Sequence, residues 1–170
     1  MAHTIIKAQS NKREYRKFLA VLVFIFFAAT LMSTLIAFRW EDWIRWFIGS
    51  SLLVFGGFKL ISFDSFLQVF PRYDPLAARF AWYSYVYPII EVLLGVFFIL
   101  EIATGLRLVI ALVMFGISLL GLITNLDRQG PSTQNTWLGH FLKLPMSTAL
   151  LFEDAIITFL VVVLIVASFI

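Results

Sequence analysis

Apolar residues along this chain run together in blocks rather than recurring at the three-to-four spacing of a surface helix. Five nearly continuous apolar stretches cover 18–38, 44–63, 82–102, 106–126 and 150–170. A helix crossing the hydrocarbon layer needs about 20 mainly apolar residues, each adding about 1.5 Å. The pattern therefore predicts five transmembrane helices, with the polar residues confined to their links and ends. An all-α, polytopic membrane bundle follows, because a spanning segment must satisfy its own backbone hydrogen bonds.

The links sharpen this picture. Residues 1–17 form a polar tail ending in Lys12, Arg13, Arg16 and Lys17. The first apolar stretch is too long for an ordinary signal-peptide core and is followed by Arg39-Trp40, so it is expected to be a retained span. Trp40, Trp43 and Trp46 between the first two spans suit an interfacial aromatic belt. The second link carries Pro71 and Pro75 together with Phe66, Leu67, Val69 and Phe70, and should lie on or re-enter the membrane surface. Ala103-Thr104-Gly105 makes a tight turn, setting spans three and four antiparallel. Pro145 with Ser147-Thr148 is expected to start and N-cap the last helix. Gly56, Gly57, Gly95, Gly116 and Gly121 offer small surfaces for close helix approach, and Pro88 can kink span three.

Composition agrees with the blocks. The chain is 61% hydrophobic and 14% charged, far from the ~45–50% and ~25% of soluble domains. The net charge of +3 marks helix ends rather than a nucleic-acid face, since no basic stripe is interleaved with aromatics. Lys7, Lys12, Arg13, Arg16, Lys17, Lys59, Arg72, Arg79, Arg128 and Lys143 fall on one side of the membrane. Arg39, Arg45 and Arg107 fall on the other. That bias predicts a cytoplasmic N-terminus and a C-terminus on the opposite side.

Charges inside the spans are the candidate chemistry. Glu91 lies well within span three, where a carboxylate costs about 2.5 kcal/mol or more and usually faces the bundle interior with a partner. Lys59, near the end of span two, is its natural counter-ion. Glu153 and Asp154 approach from the same leaflet, so all four are expected in one buried polar cluster. Simpler readings stand beside this one. Lys59 can snorkel to the interface, and acids near the start of span five complement the helix dipole. Glu91 serves either as a structural ion pair or in handling protons or substrate.

Familiar catalytic arrangements are missing. Cysteine is absent, which removes thiolate ligands and thiol–disulfide exchange by this chain. His3 and His140 are isolated, and there is no phosphate loop, GxSxG or HExxH. Neither a catalytic residue nor a metal site is expected.

Two stretches together carry a family signature. The first contains Gly56-Gly57-Phe58-Lys59, Phe66, Phe70, Tyr73-Asp74-Pro75-Leu76-Ala77, Tyr83-Ser84-Tyr85-Val86-Tyr87-Pro88 and Glu91-Val92-Leu93-Leu94-Gly95. The second runs from Leu138-Gly139-His140 through Lys143-Leu144-Pro145-Met146-Ser147 to Glu153-Asp154. They resemble the MauE/DoxX-like small membrane proteins, the MauE-like branch in particular. The resemblance implies a four-helix membrane domain over 44–170, with 18–38 as an added N-terminal helix. It also marks Asp74, Tyr87, Pro88, Lys143 and Pro145 as motif residues. Relatives are associated with redox processes, including methylamine dehydrogenase maturation and sulfur or quinone chemistry. MauE-like members commonly carry Cys-x-Cys just before the Leu-Gly pair, where this chain has Asn135 and Trp137.

Those missing thiols shape the functional expectation. The leading reading is a non-catalytic accessory or structural subunit, seated in a bacterial inner membrane against a partner membrane protein and needing no cofactor. The alternatives are a redox maturation protein working beside a quinone and a small proton-coupled transporter. The transporter lacks the repeat symmetry usual for such proteins.

Overall fold

The computed structural model describes the backbone of residues 2–36, 38–129 and 146–169, and side chains over 15–35, 38–124 and 149–169. Among these residues there are helices and no strand. In chain order they are α1 (Ala2–Ile36), α2 (Trp40–Ile61), α3 (Phe63–Val69), a 3-10 turn (Phe70–Arg72), α4 (Pro75–Arg79), α5 (Ala81–Ile99), α6 (Thr104–Gln129) and α7 (Met146–Ala167). Five are long and apolar enough to span a membrane: Tyr15–Leu35, Trp40–Ile61, Ala81–Ile99, Thr104–Thr124 and Ala149–Ala167. The protein is an all-α polytopic bundle.

Hydropathy placed the spans correctly but started each of them late. The second span begins at Trp40 because Glu41 and Asp42 belong to its first helical turn, where acids complement the helix dipole. The polar tail likewise continues the first helix back to Ala2. Ser147 and Thr148 already lie inside α7, so the expected cap at those positions is corrected: the helix starts ahead of them.

Helix faces divide cleanly. On α1, Phe18, Ile25, Ala29 and Ser33 are buried, while Phe24, Phe27, Leu31 and Leu35 point outward. Lipid is as apolar as those outward side chains, so their exposure carries no penalty. Helix α2 is the hub, packing most extensively on α5 and also on α1, while α6 pairs with α7. The tight turn does make α5 and α6 consecutive, but their lateral contact is the slighter one. Trp43 belongs less to a belt than to this packing. Its indole N–H donates to the Thr30 hydroxyl at 2.9 Å, and its ring stacks on Phe47.

Glycines set the closest approaches. A Cβ on Gly49 would stand 3.0 Å from the Gly95 carbonyl, and one on Gly95 would stand 3.0 Å from both the Gly49 carbonyl and the Leu53 nitrogen. A Cβ on Gly56 would press on Val92 and Glu91, and one on Gly121 would strike Pro75 and the Tyr73 carbonyl. Gly57 and Gly116 face open space, so the expectation of close contact fails for these two.

The second link is a plug. Asp74 caps α4, its Oδ1 accepting from the Leu76 and Ala77 backbone N–H groups at 2.8 Å each, with Pro75 at the first helical position. Phe66 and Phe70 are fully buried and stacked 4.5 Å apart. Phe70 also meets the Tyr87 ring at 4.5 Å. The aromatic side chains of the link therefore pack into the bundle.

Gly95→Ala should lower stability by about 1–3 kcal/mol, because backbone on the facing helix cannot yield. Gly57→Ala should be neutral or stabilising by up to about 1 kcal/mol, through helix propensity. Thermal unfolding in detergent checks both.

Candidate functional site

Three spans meet at one ammonium group. Lys59 stands in the last turn of α2, and Gly56, one turn earlier, lets α5 approach closely enough to bring Glu91 to it. Lys59 Nζ donates to Glu91 Oε1 at 2.9 Å and Oε2 at 2.7 Å, and to Glu153 Oε1 on α7 at 2.8 Å. An ammonium has three N–H donors, and three carboxylate oxygens surround it. Lys59, Glu91 and Asp154 have no solvent exposure, and Glu153 has 3%. This geometry does not allow Lys59 to snorkel to the interface.

The ammonium also lies 5.2 Å from the centre of the Tyr87 ring, close enough for a cation–π contact. Tyr87 is wholly buried between Tyr83, Phe70, Phe66 and Phe115. Pro88 follows it, buried inside an unbroken α5. The plug residues Phe66 and Phe70 thus cover the cluster from the end of the bundle.

Asp154 stands apart. It follows Glu153 on α7, yet neither of its oxygens accepts a hydrogen bond from any described residue. It faces the side where Ser118 of α6 lies next to it and next to Asp74. Asp74, 1% exposed, spends Oδ1 on the α4 cap and leaves Oδ2 without a hydrogen bond from any described residue. Burial pushes its carboxyl above the ordinary carboxylate range, partly offset by the Ala77 and Leu76 N–H groups and by Ser118. Among the described residues, no three His, Cys, Asp or Glu side chains converge as a metal site would require.

The four expected cluster residues are therefore together, three in direct contact and Asp154 alongside. The motif residues Asp74, Tyr87 and Pro88 border the same region. Lys143 and Pro145 lie outside the described residues. Ser118 was not anticipated, since a single hydroxyl in an apolar span gives little signal; Asp74-Pro75, by contrast, is a recognisable cap sequence.

A second polar group at the opposite end was also missed. Arg45 Nη1 donates to the Ile99 carbonyl at 3.0 Å and the Phe98 carbonyl at 3.3 Å, and Nη2 pairs with Asp42 at 3.2 Å. Arg107 Nη1 donates to the Phe97 carbonyl at 3.0 Å. Arg45 thereby satisfies the Phe98 and Ile99 carbonyls, which the end of α5 leaves without intrahelical partners. Arg107 adds a second bond to the Phe97 carbonyl, which also accepts from the Ile102 N–H at 3.1 Å.

A family model described as Methylamine utilisation protein MauE matches residues 32–169. The chain belongs to the MauE family. The match begins in the last turns of α1 and takes in every residue of the cluster, in line with the resemblance carried by the Lys59, Asp74, Tyr87-Pro88 and Glu91 motifs. No curated protein and no solved structure matches the chain. Five apolar spans and MauE-family membership make it an integral membrane protein.

Lys59→Leu should destabilise the bundle by about 3–5 kcal/mol, because Glu91 and Glu153 lose their buried counter-ion. Glu91→Leu should destabilise it less, because Lys59 loses the Glu91 oxygens but keeps its pair with Glu153. Glu91→Gln keeps an acceptor for Lys59 and should lose clearly less. Thermal melts of the three detergent-solubilised variants measure the order.

Proposed function

We propose that this MauE-family protein is a non-catalytic accessory subunit that packs against a partner membrane protein in a bacterial inner membrane, in a system of the kind the family description names, methylamine utilisation. The observation supporting this most strongly is the use made of interior charge. Lys59 directs its three N–H groups at carboxylate oxygens of two other spans, so its charge holds helices together. The outer faces of the helices then serve as contact surfaces. The zero cysteine count supports the same reading, since a dithiol relay requires thiols.

A redox role beside a quinone is the second reading. It draws on a lateral groove of about 430 Å³ lined by Trp40, Glu41, Val162, Val163, Val166 and Ala167. A flat aromatic ring suits such an apolar opening.

Gentle solubilisation from native membranes followed by native mass spectrometry should show a stoichiometric membrane-protein complex. A lone monomer overturns the accessory reading, and a quinone retained in the same preparation favours the second. The excess of Lys and Arg on one side supports a cytoplasmic N-terminus with the C-terminus opposite. Reporter fusions at the two ends should accordingly give opposite signals; equal signals would overturn that orientation.

A further inference from the structure

Among the described residues, the polar interior holds more acid than base. One ammonium, Lys59, faces Glu91, Glu153, Asp154 and Asp74, all at most 3% exposed. With every group ionised, three negative charges would remain uncompensated in a medium where even one is strongly disfavoured. Glu91 and Glu153 share the ammonium, whereas Asp154 makes no hydrogen bond among the described residues. Around it lie further buried polar atoms in the same condition: the Tyr87 hydroxyl, the Ser118 hydroxyl, Asp74 Oδ2 and Glu153 Oε2. Fully buried groups with unused hydrogen-bonding capacity, gathered on one side of an ion pair, call for a ligand that brings positive charge and little volume.

We propose that the space between Asp154, Ser118 and Asp74 binds an exchangeable proton, held on Asp154 and passed to and from the Asp74 end of the bundle through the Ser118 hydroxyl. In the inward step Asp74 gives its proton to the Ser118 oxygen while Ser118 gives its own to an Asp154 oxygen. The sum is one proton moved and no net change at serine. Asp74 sits in the surface link between α3 and α5, beside the exposed Arg72 and Pro75, and is the cluster carboxyl placed outside the spans. The groups that face Asp154 are Glu153 on its own helix, Lys59 from α2, Glu91, Tyr83 and Tyr87 from α5, Ser118 from α6 and Asp74 from the link. Lys59 alone among them is cationic, and its three donors go to Glu91 and Glu153. A metal ion fits less well, because the described residues offer no converging set of three ligands.

This inference does not rest on the accessory reading, whose test is partner retention. Infrared spectroscopy of the protein in lipid bilayers at neutral pH tests it directly. A carbonyl stretch of a protonated carboxylic acid should appear in the unaltered protein and shift when aspartate carboxyls are isotopically labelled. Asp154→Asn should remove that component, and Glu41→Gln should leave it in place. Ser118→Ala should keep the band but slow its exchange in heavy water by about tenfold or more. An unaltered protein with no such band, or a band that ignores aspartate labelling, overturns the proposal. So does a folded Asp154→Asn protein whose aspartate-sensitive band keeps the full intensity of the unaltered protein. Loss of the band on adding sodium at constant pH would overturn it in favour of a metal cation.

Discussion

Everything in the bundle is arranged around the Lys59 ammonium. An ammonium and a carboxylate taken out of water lose several kcal/mol each in hydration, which their attraction offsets only when the remaining hydrogen-bonding capacity is also met. At Lys59 it is met by three oxygens between 2.7 and 2.9 Å away. That contact fixes how α2, α5 and α7 sit together. Gly56 supports it by letting α5 come close, and the Phe66–Phe70 plug supports it by keeping water away. A shift of α7 by one turn, about 5.4 Å, would withdraw Glu153 entirely.

Charge at the other end of α5 solves a different problem. There the helix stops at Ile99, and its last carbonyls would be exposed to hydrocarbon or to a thin interface. Arg45 from α2 and Arg107 from α6 reach those carbonyls, so the helices flanking α5 also hold its end. Glu101 and Ala103 in the turn beyond have left-handed backbones, φ 59° and 48°, which ordinary side chains adopt at some cost. The arginine bonds and the short reversal to α6 hold that turn in place. Helix α5 is thus tied by its own acid at mid-length and by arginines of α2 and α6 at its C-terminal end.

How much of this was legible in sequence depends on the kind of interaction. Span number and helix type follow from solvent, and the apolar blocks showed them. Glu91 was legible because a mid-span acid needs a partner, and Lys59 was the base at a matching depth. Glycines were legible only as small residues. Gly56, Gly95 and Gly121 meet a neighbour, whereas Gly57 and Gly116 do not, because a helix turns about 100° per residue and only the packed faces carry the constraint. Gly49 was missed for the same reason: which face meets α5 is decided between helices, not within one. Arg45 and Arg107 were counted as topology markers, and nothing in their local sequence pointed to carbonyls about fifty residues away in one case.

The cluster and the missing thiols also bear on each other. The family resemblance places a Cys-x-Cys in the link between α6 and α7, where this chain has Asn135 and Trp137. The described hydrogen bonds at Lys59 go to carboxylates of α5 and α7. The ion pair that holds these spans is built from side chains of α2, α5 and α7. The bundle cannot lose Lys59 without leaving Glu91 and Glu153 buried without their counter-ion. What the spans enclose, among the described residues, is an interior with more acid than base.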